Sequence, residues 1–199
     1  MSDILLFGGT FDPVHLGHVD MALGAMEQLQ PAKLVLIPTG NPWQRGRPPL
    51  ASGEDRVAML RLAFAGVAQI DIDERELRRA GPTYTVDTLD ELHREAPADT
   101  FHWLIGSDAF GKLDSWYRAF ELPRLARFAV VARAGEAVVA PSVCKPADFR
   151  VLTFTPPPFS STGLRARLAK RQSIRGFAPD AVCVYIEQHK LYRPEETKY

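Results

Sequence analysis

The string Gly8-Gly9-Thr10-Phe11-Asp12-Pro13-Val14-His15-Leu16-Gly17-His18 gathers residue types suited to phosphate chemistry. It follows the short apolar run 4–7 and precedes apolar residues at helical intervals (Val19, Leu23, Met26, Leu29), so it reads as a strand-to-helix turn. Glycines there let the backbone approach an anion, and the unpaired N–H groups of a helix N-terminus favour negative charge. His15 and His18 share one face of the first helical turns, and Gly17 between them leaves room for a bulky ligand. Two imidazoles in that place can donate to phosphate oxygens and stabilise charge in a transition state. The string is neither a Walker A loop nor a Gly-x-Gly-x-x-Gly fingerprint, and no third metal ligand lies near the histidines in sequence.

A second polar group, Ser160-Ser161-Thr162-Gly163-Leu164-Arg165, opens a helix expected over 161–171. By itself it is an ordinary N-cap. It begins a stretch without acids that holds Arg165, Arg167, Lys170, Arg171 and Arg175. By itself such a cluster is a solvated helix face. The net charge of the chain is zero, but residues 1–100 carry 9 Lys and Arg against 15 Asp and Glu, with the reverse balance beyond them. A neutral total argues against a dedicated nucleic-acid binder.

The elements that must position these groups alternate. Strands are expected at 4–7, 33–38, 69–73, 101–105, 128–132 and 150–154. Helices are expected after Pro13, from Ser52 to Gly66 with Asp55 completing a capping box, from a Thr85 cap to Ala96, and over 179–189. One or two short helices fit 107–126, and 135–149 reads as a loop. Strict alternation predicts an α/β fold: a Rossmann-like, open, mostly parallel sheet with helices on both faces, in one domain over 1–199. Ligands of such sheets bind outside the carboxyl ends of the strands, where the strand order reverses. The 199 residues, 46% hydrophobic and 24% charged, exclude disordered and fibrous classes. No apolar run approaches the ~18–20 residues of a membrane span. Cys144 and Cys183 are too few for a disulfide framework, and a soluble cytoplasmic protein is expected.

The histidine string resembles the nucleotidyltransferase superfamily, whose T/HxGH signature sits in a GxFxPxHxGH setting. Gly9, Phe11, Pro13, His15, Gly17 and His18 match it, and Ser160–Arg165 matches its second signature, Ser-Ser-Thr-x-x-Arg. Within the superfamily the chain resembles the bacterial nicotinate-nucleotide adenylyltransferases over nearly its whole length. The closer resemblance lies in Pro38-Thr39-Gly40-Asn41-Pro42, Gly81-Pro82-Thr83-Tyr84-Thr85-Val86-Asp87-Thr88-Leu89, Ile105-Gly106-Ser107-Asp108 with Trp116, and Val130–Arg133. After Pro42 that family commonly has Pro-His-Lys, where this chain has Trp43-Gln44-Arg45.

The resemblance implies ATP and nicotinate mononucleotide as partners, with Mg²⁺ arriving on ATP and no metal ligands in the protein. It implies His15, His18 and Arg165 as the catalytic groups. Gly8, Gly9, Thr10, Phe11, Gly106, Asp108, Ser161 and Thr162 would hold ATP, and Arg45, Tyr84, Thr85 and Trp116 the mononucleotide. No nucleic-acid or membrane partner is expected, and homo-oligomer formation is left open. Two alternatives share the fold: a transferase using nicotinamide mononucleotide or another phosphate acceptor, and a catalytically silent nucleotide-binding regulator.

Overall fold

Successive side chains of a strand point to opposite faces, so an apolar strand without alternation must be covered twice. The first strand, β1 (Asp3–Gly9), sends Leu5 and Phe7 to one core and Ile4 and Leu6 to another. The computed structural model describes residues 1–43, 48–132 and 137–193. Among these, β1 is joined by β2 (Lys33–Pro38), β3 (Ile70–Ile72), β4 (Thr100–Gly106), β5 (Arg127–Val131) and β6 (Phe149–Leu152). All pair in parallel, in the order β3-β2-β1-β4-β5-β6.

One face is covered by α1 (Leu16–Leu29) and α2 (Gly53–Ala63), through Ala22, Ala25, Met59 and Leu60. The later helices α7 (Ser161–Ala169) and α8 (Asp180–Gln188) join that core through Leu164, Val182 and Ile186. Two short helices, α3 (Arg75–Arg78) and α5 (Ser107–Phe110), flank α4 (Thr85–Glu95) in sequence, and α6 (Leu122–Leu125) follows. The other face is covered by α4, α5 and α6, with Val86, Leu89, Phe110 and Leu122 against Trp103 and Phe128. The expected α/β sheet is therefore present, and its parallel strands run without exception. No helix among the described residues is long and apolar enough to cross a membrane.

Local departures from the sequence reading have local causes. β6 ends at Leu152, not at Phe154, because its neighbour β5 ends at Val131, which pairs with Leu152. Thr153 then turns its N–H to the Gln28 side chain at 3.0 Å, and Phe154 packs where a side chain on Gly24 would stand. Thr85 does not cap α4; Tyr84 is the capping residue, without a side-chain bond. Thr83 is held to Asn41 by two hydrogen bonds of 3.0 Å, which keeps the chain extended as far as Tyr84. Pro179 likewise caps α8 from outside its first turn. The helix α3 was not expected, and a turn of 3₁₀ helix at 146–148 closes the loop before β6.

The order of strands reverses between β1 and β4, and the loop after β1 lies at that reversal. Its Asp12, followed by a cis peptide bond to Pro13, is 3% exposed. The carboxylate accepts from the Leu50 and Ala51 N–H groups at 2.9 and 3.0 Å and from the Tyr192 hydroxyl at 2.8 Å. Arg165 stands 3.7 Å away. Burial and the Asp12 charge hold the Tyr192 phenol protonated, well above the ordinary tyrosine range. A hydrogen bond to a charged group contributes roughly 1.5–3 kcal/mol net. Tyr192→Phe should therefore lower unfolding stability by about that amount in urea titrations, with the m-value unchanged.

Candidate active site

Two helices grip the β1–α1 loop. From α2, Arg56 (2% exposed) donates through Nη1 to the Thr10 carbonyl at 2.9 Å and the Thr39 carbonyl at 2.8 Å. Burial pulls its guanidinium below the usual arginine range, and Asp12 opposes that pull. From α7, Arg165 donates to the Asp12 carbonyl at 2.6 Å and to the Thr162 hydroxyl at 3.1 Å. The Ser161 hydroxyl donates to the Pro13 carbonyl at 3.0 Å, while Ser160 caps α7 by accepting from the Gly163 N–H. The two polar signatures, far apart in sequence, thus meet at one loop.

The histidines stack on one another, with ring centroids 3.7 Å apart and planes 25° from parallel. His15 is the N-terminal capping residue of α1, and its N–H donates to Nδ1 of His18 at 3.2 Å. Phe11, at φ 49°, sets its ring edge against His18 at 5.1 Å. Gly17 leaves little space here: a Cβ would lie 3.0 Å from the Pro157 carbonyl and 3.1 Å from the His15 ring, so either neighbour would have to shift. His15 is buried, and Nδ1 has no hydrogen-bond partner among the described residues. Burial pushes its pKa down to about 4. The ring is therefore neutral at pH 7, able to donate through one nitrogen.

Beside this loop, above the carboxyl ends of β1 and β4, lies a cavity of about 240 Å³. Gly8, Gly9 and Thr10 form one wall, Gly106 and Trp116 another, and Thr85 with Thr39 and Glu76 a third. Tyr84 is not among the lining residues; half-buried against the core, its ring lies 5.8 Å from Trp43 and 4.3 Å from Tyr117. Asp108 is exposed in the first turn of α5. Thr162 is exposed and Ser161 half-buried at the start of α7. Arg45, with Gln44 and Arg133, lies outside the described residues.

The basic stretch does not form one surface. Arg165 turns inward, Arg167 covers the Phe177 ring at 4.8 Å, and Arg175 stands 3.8 Å from Asp180. Sequence reasoning missed Arg56, Glu76 and the role of Asp12. For Arg56 a trace exists, since it shares the α2 face of Met59 and Leu60, both buried. Glu76 sits in the charged run Glu74–Arg79, where nothing sets it apart.

The chain is similar to known proteins over nearly its whole length. The family model described as Cytidylyltransferase-like matches residues 6–167. A probable nicotinate-nucleotide adenylyltransferase of Bordetella avium is 36% identical over 200 residues, covering 98% of this chain and all of the relative. One from Chromobacterium violaceum is 41% identical over 206 residues, covering 94% of this chain and 97% of the relative. Among solved structures, Plasmodium falciparum nicotinic acid mononucleotide adenylyltransferase complexed with NaAD superposes with a TM-score of 0.77. That match has 20% identity and covers 96% of this chain and 98% of the other, which shows a shared fold.

The buried neutral His15 makes stability depend on pH in a defined direction. Its pKa is depressed on folding, so its contribution is full above about pH 6.5 and is lost as pH falls toward 4. The loss amounts to about 2 kcal/mol at pH 5 and about 3 kcal/mol at pH 4. Unfolding free energies of the protein and of His15→Gln at pH 7.5 and pH 5 should differ by this slope; parallel curves would place His15 in a solvated site.

Proposed function

The chain belongs to the cytidylyltransferase-like family and, within it, to the nicotinate-nucleotide adenylyltransferases, and from that membership we propose that it transfers AMP from ATP to nicotinate mononucleotide. The products are deamido-NAD and pyrophosphate. One observation carries the reading: a single cavity at the strand-order reversal has the Gly8–Thr10 turn on one wall and Thr85 with Trp116 on others.

A phosphate oxygen of the mononucleotide attacks the α-phosphorus of ATP in line. A new P–O bond forms there, the bond to the bridging oxygen breaks, and pyrophosphate leaves with that oxygen. The attacking monoester is largely ionised at neutral pH, so no general base and no enzyme-bound intermediate are required. Catalysis is positioning and charge stabilisation. His15 and His18 donate to the α- and β-phosphates, assisted by N–H groups near Thr10 and Phe11. Ser161, Thr162 and Arg165 hold the β- and γ-phosphates and the leaving pyrophosphate. Gly8, Gly9, Gly106 and Asp108 receive the rest of ATP. The protein acts as one catalytic domain in the cytoplasm.

The donor set suits a magnesium ion carried by the nucleotide. Among the described residues no group of three or more His, Cys, Asp or Glu side chains could hold a metal ion. The Asp12 carboxylate is occupied by two amides and a phenol. Mg²⁺ would sit on phosphate oxygens and water, where it lowers the charge that the attacking oxygen meets.

For the acceptor, the first N–H groups of α4 have no intrahelical partners and carry the positive end of its dipole. A carboxylate only accepts and suits them; a carboxamide would set N–H donors against N–H donors. Trp116 stacks on either pyridinium ring and discriminates little.

Two measurements test this reading. Pyrophosphate release from ATP should require nicotinate mononucleotide, with kcat/KM roughly 30- to 1000-fold above that for the amide; equal values would remove the acid-specific role of Thr85. His18→Ala should lower kcat by roughly 10²–10³-fold with an unchanged circular dichroism spectrum, and a fully active variant would refute its role at the phosphates.

A further inference from the structure

Glu76 is the one carboxyl group in the wall of the 240 Å³ cavity among its described lining residues, and it is 3% exposed. It is held, not stray. The Thr88 hydroxyl donates to its Oε1 at 2.7 Å and accepts from Arg79 Nη1 at 3.0 Å, and the Thr39 hydroxyl bonds the carboxyl as well. Thr88 lies three residues beyond Thr85 in α4, so Glu76 sits about one helical turn, roughly 5 Å along the axis, from the helix start.

The charged groups around it come from three directions. Arg79 follows its own helix and Asp73 precedes it. Glu91 of α4 neutralises Arg79, Nη2 to carboxylate, at 2.7 Å. Arg56 of α2 directs Nη1 to the Thr39 carbonyl rather than to Glu76. Among the described residues no cation is therefore dedicated to this carboxylate. Burial pushes its pKa up to about 7 against the downward pull of Thr88, Arg79 and Thr39.

We propose that Glu76 is a specificity-determining residue that takes up one proton when an acid mononucleotide enters the cavity and stays ionised with the amide. This rests on the reading of the cavity as the mononucleotide site. Two carboxylates in one low-dielectric cavity cannot both keep their charge cheaply, and the pyridine acid is the stronger. The proton comes from solvent and goes to the Glu76 carboxyl. The acid-binding state is thus the protonated one, and the preference for acid over amide weakens as pH rises. Glu76 sets the upper pH limit of that preference.

Calorimetric titration of the whole protein with each mononucleotide, in buffers of differing ionisation enthalpy, measures the uptake. The mononucleotide phosphate also titrates near neutrality, but equally for acid and amide, so their difference isolates Glu76. That difference should be close to zero at pH 6 and approach one proton at pH 8. In steady state, KM for the acid should rise by up to about tenfold per pH unit above neutrality, and Glu76→Gln should flatten that rise. Equal uptake with acid and amide at pH 8, or an unchanged KM slope in Glu76→Gln, overturns the proposal. The calorimetric difference needs no variant, so it decides the question even if Glu76→Gln does not fold. Turnover of the acid without differential uptake would sink only this inference; absence of turnover with either mononucleotide would sink the functional reading beneath it.

Discussion

The buried carboxylate of Asp12 is the interaction around which the site is assembled. An isolated charge at 3% exposure would be prohibitive, so it must be surrounded by donors. Those donors come from separate parts of the chain: amides of Leu50 and Ala51 before α2, and the phenol of Tyr192 after α8. A guanidinium from α7 stands beside it. Satisfying one carboxylate therefore fixes how α2, α7 and the segment after α8 stand around the end of β1. Removing any one donor would leave a buried acceptor short of a partner rather than merely lose a contact.

Arg56 and Arg165 act on the backbone rather than on other side chains. Arg56 draws the Thr10 and Thr39 carbonyls toward itself. In a trans peptide unit the N–H points opposite to the C=O, so the N–H groups of Phe11 and Gly40 are turned away from it. Arg165 holds the Asp12 carbonyl from α7. Two buried guanidiniums thus orient the Thr10–Phe11 and Asp12–Pro13 peptide units of the loop without touching a ligand through those bonds. The positive φ of Phe11 is part of the same arrangement, held by a ring packed between Phe7 and His18.

Much of this was legible in the residues. The run Lys33–Pro38 is strand β2 to the residue, because its ends are set by a preceding proline turn and its own Pro38. The helix after Pro13 and the Ser52 cap with Asp55 also follow local chemistry. The site was legible as motifs: Gly8–Thr10, Gly106, Thr85 and Trp116 line one cavity, and Ser161 and Arg165 reach the loop before His15. What local reasoning missed depends on distant partners. Tyr84 caps α4 because Asn41 extends the chain before it, and β6 stops where β5 stops. Glu76 resembles its charged neighbours in sequence, and only the position of Thr88 and Thr39 makes it a buried acid.

The bond between Tyr192 and Asp12 spans 180 residues. The β1–α1 loop precedes Tyr192 in synthesis, yet it cannot reach its finished form until residue 192 has left the ribosome. Contacts of such sequence separation close late in folding, because the entropy of the whole intervening chain must first be reduced by other structure. A loop made long before Tyr192 is therefore completed only after it, and chains that stop short of Tyr192 carry the motif without its finished form.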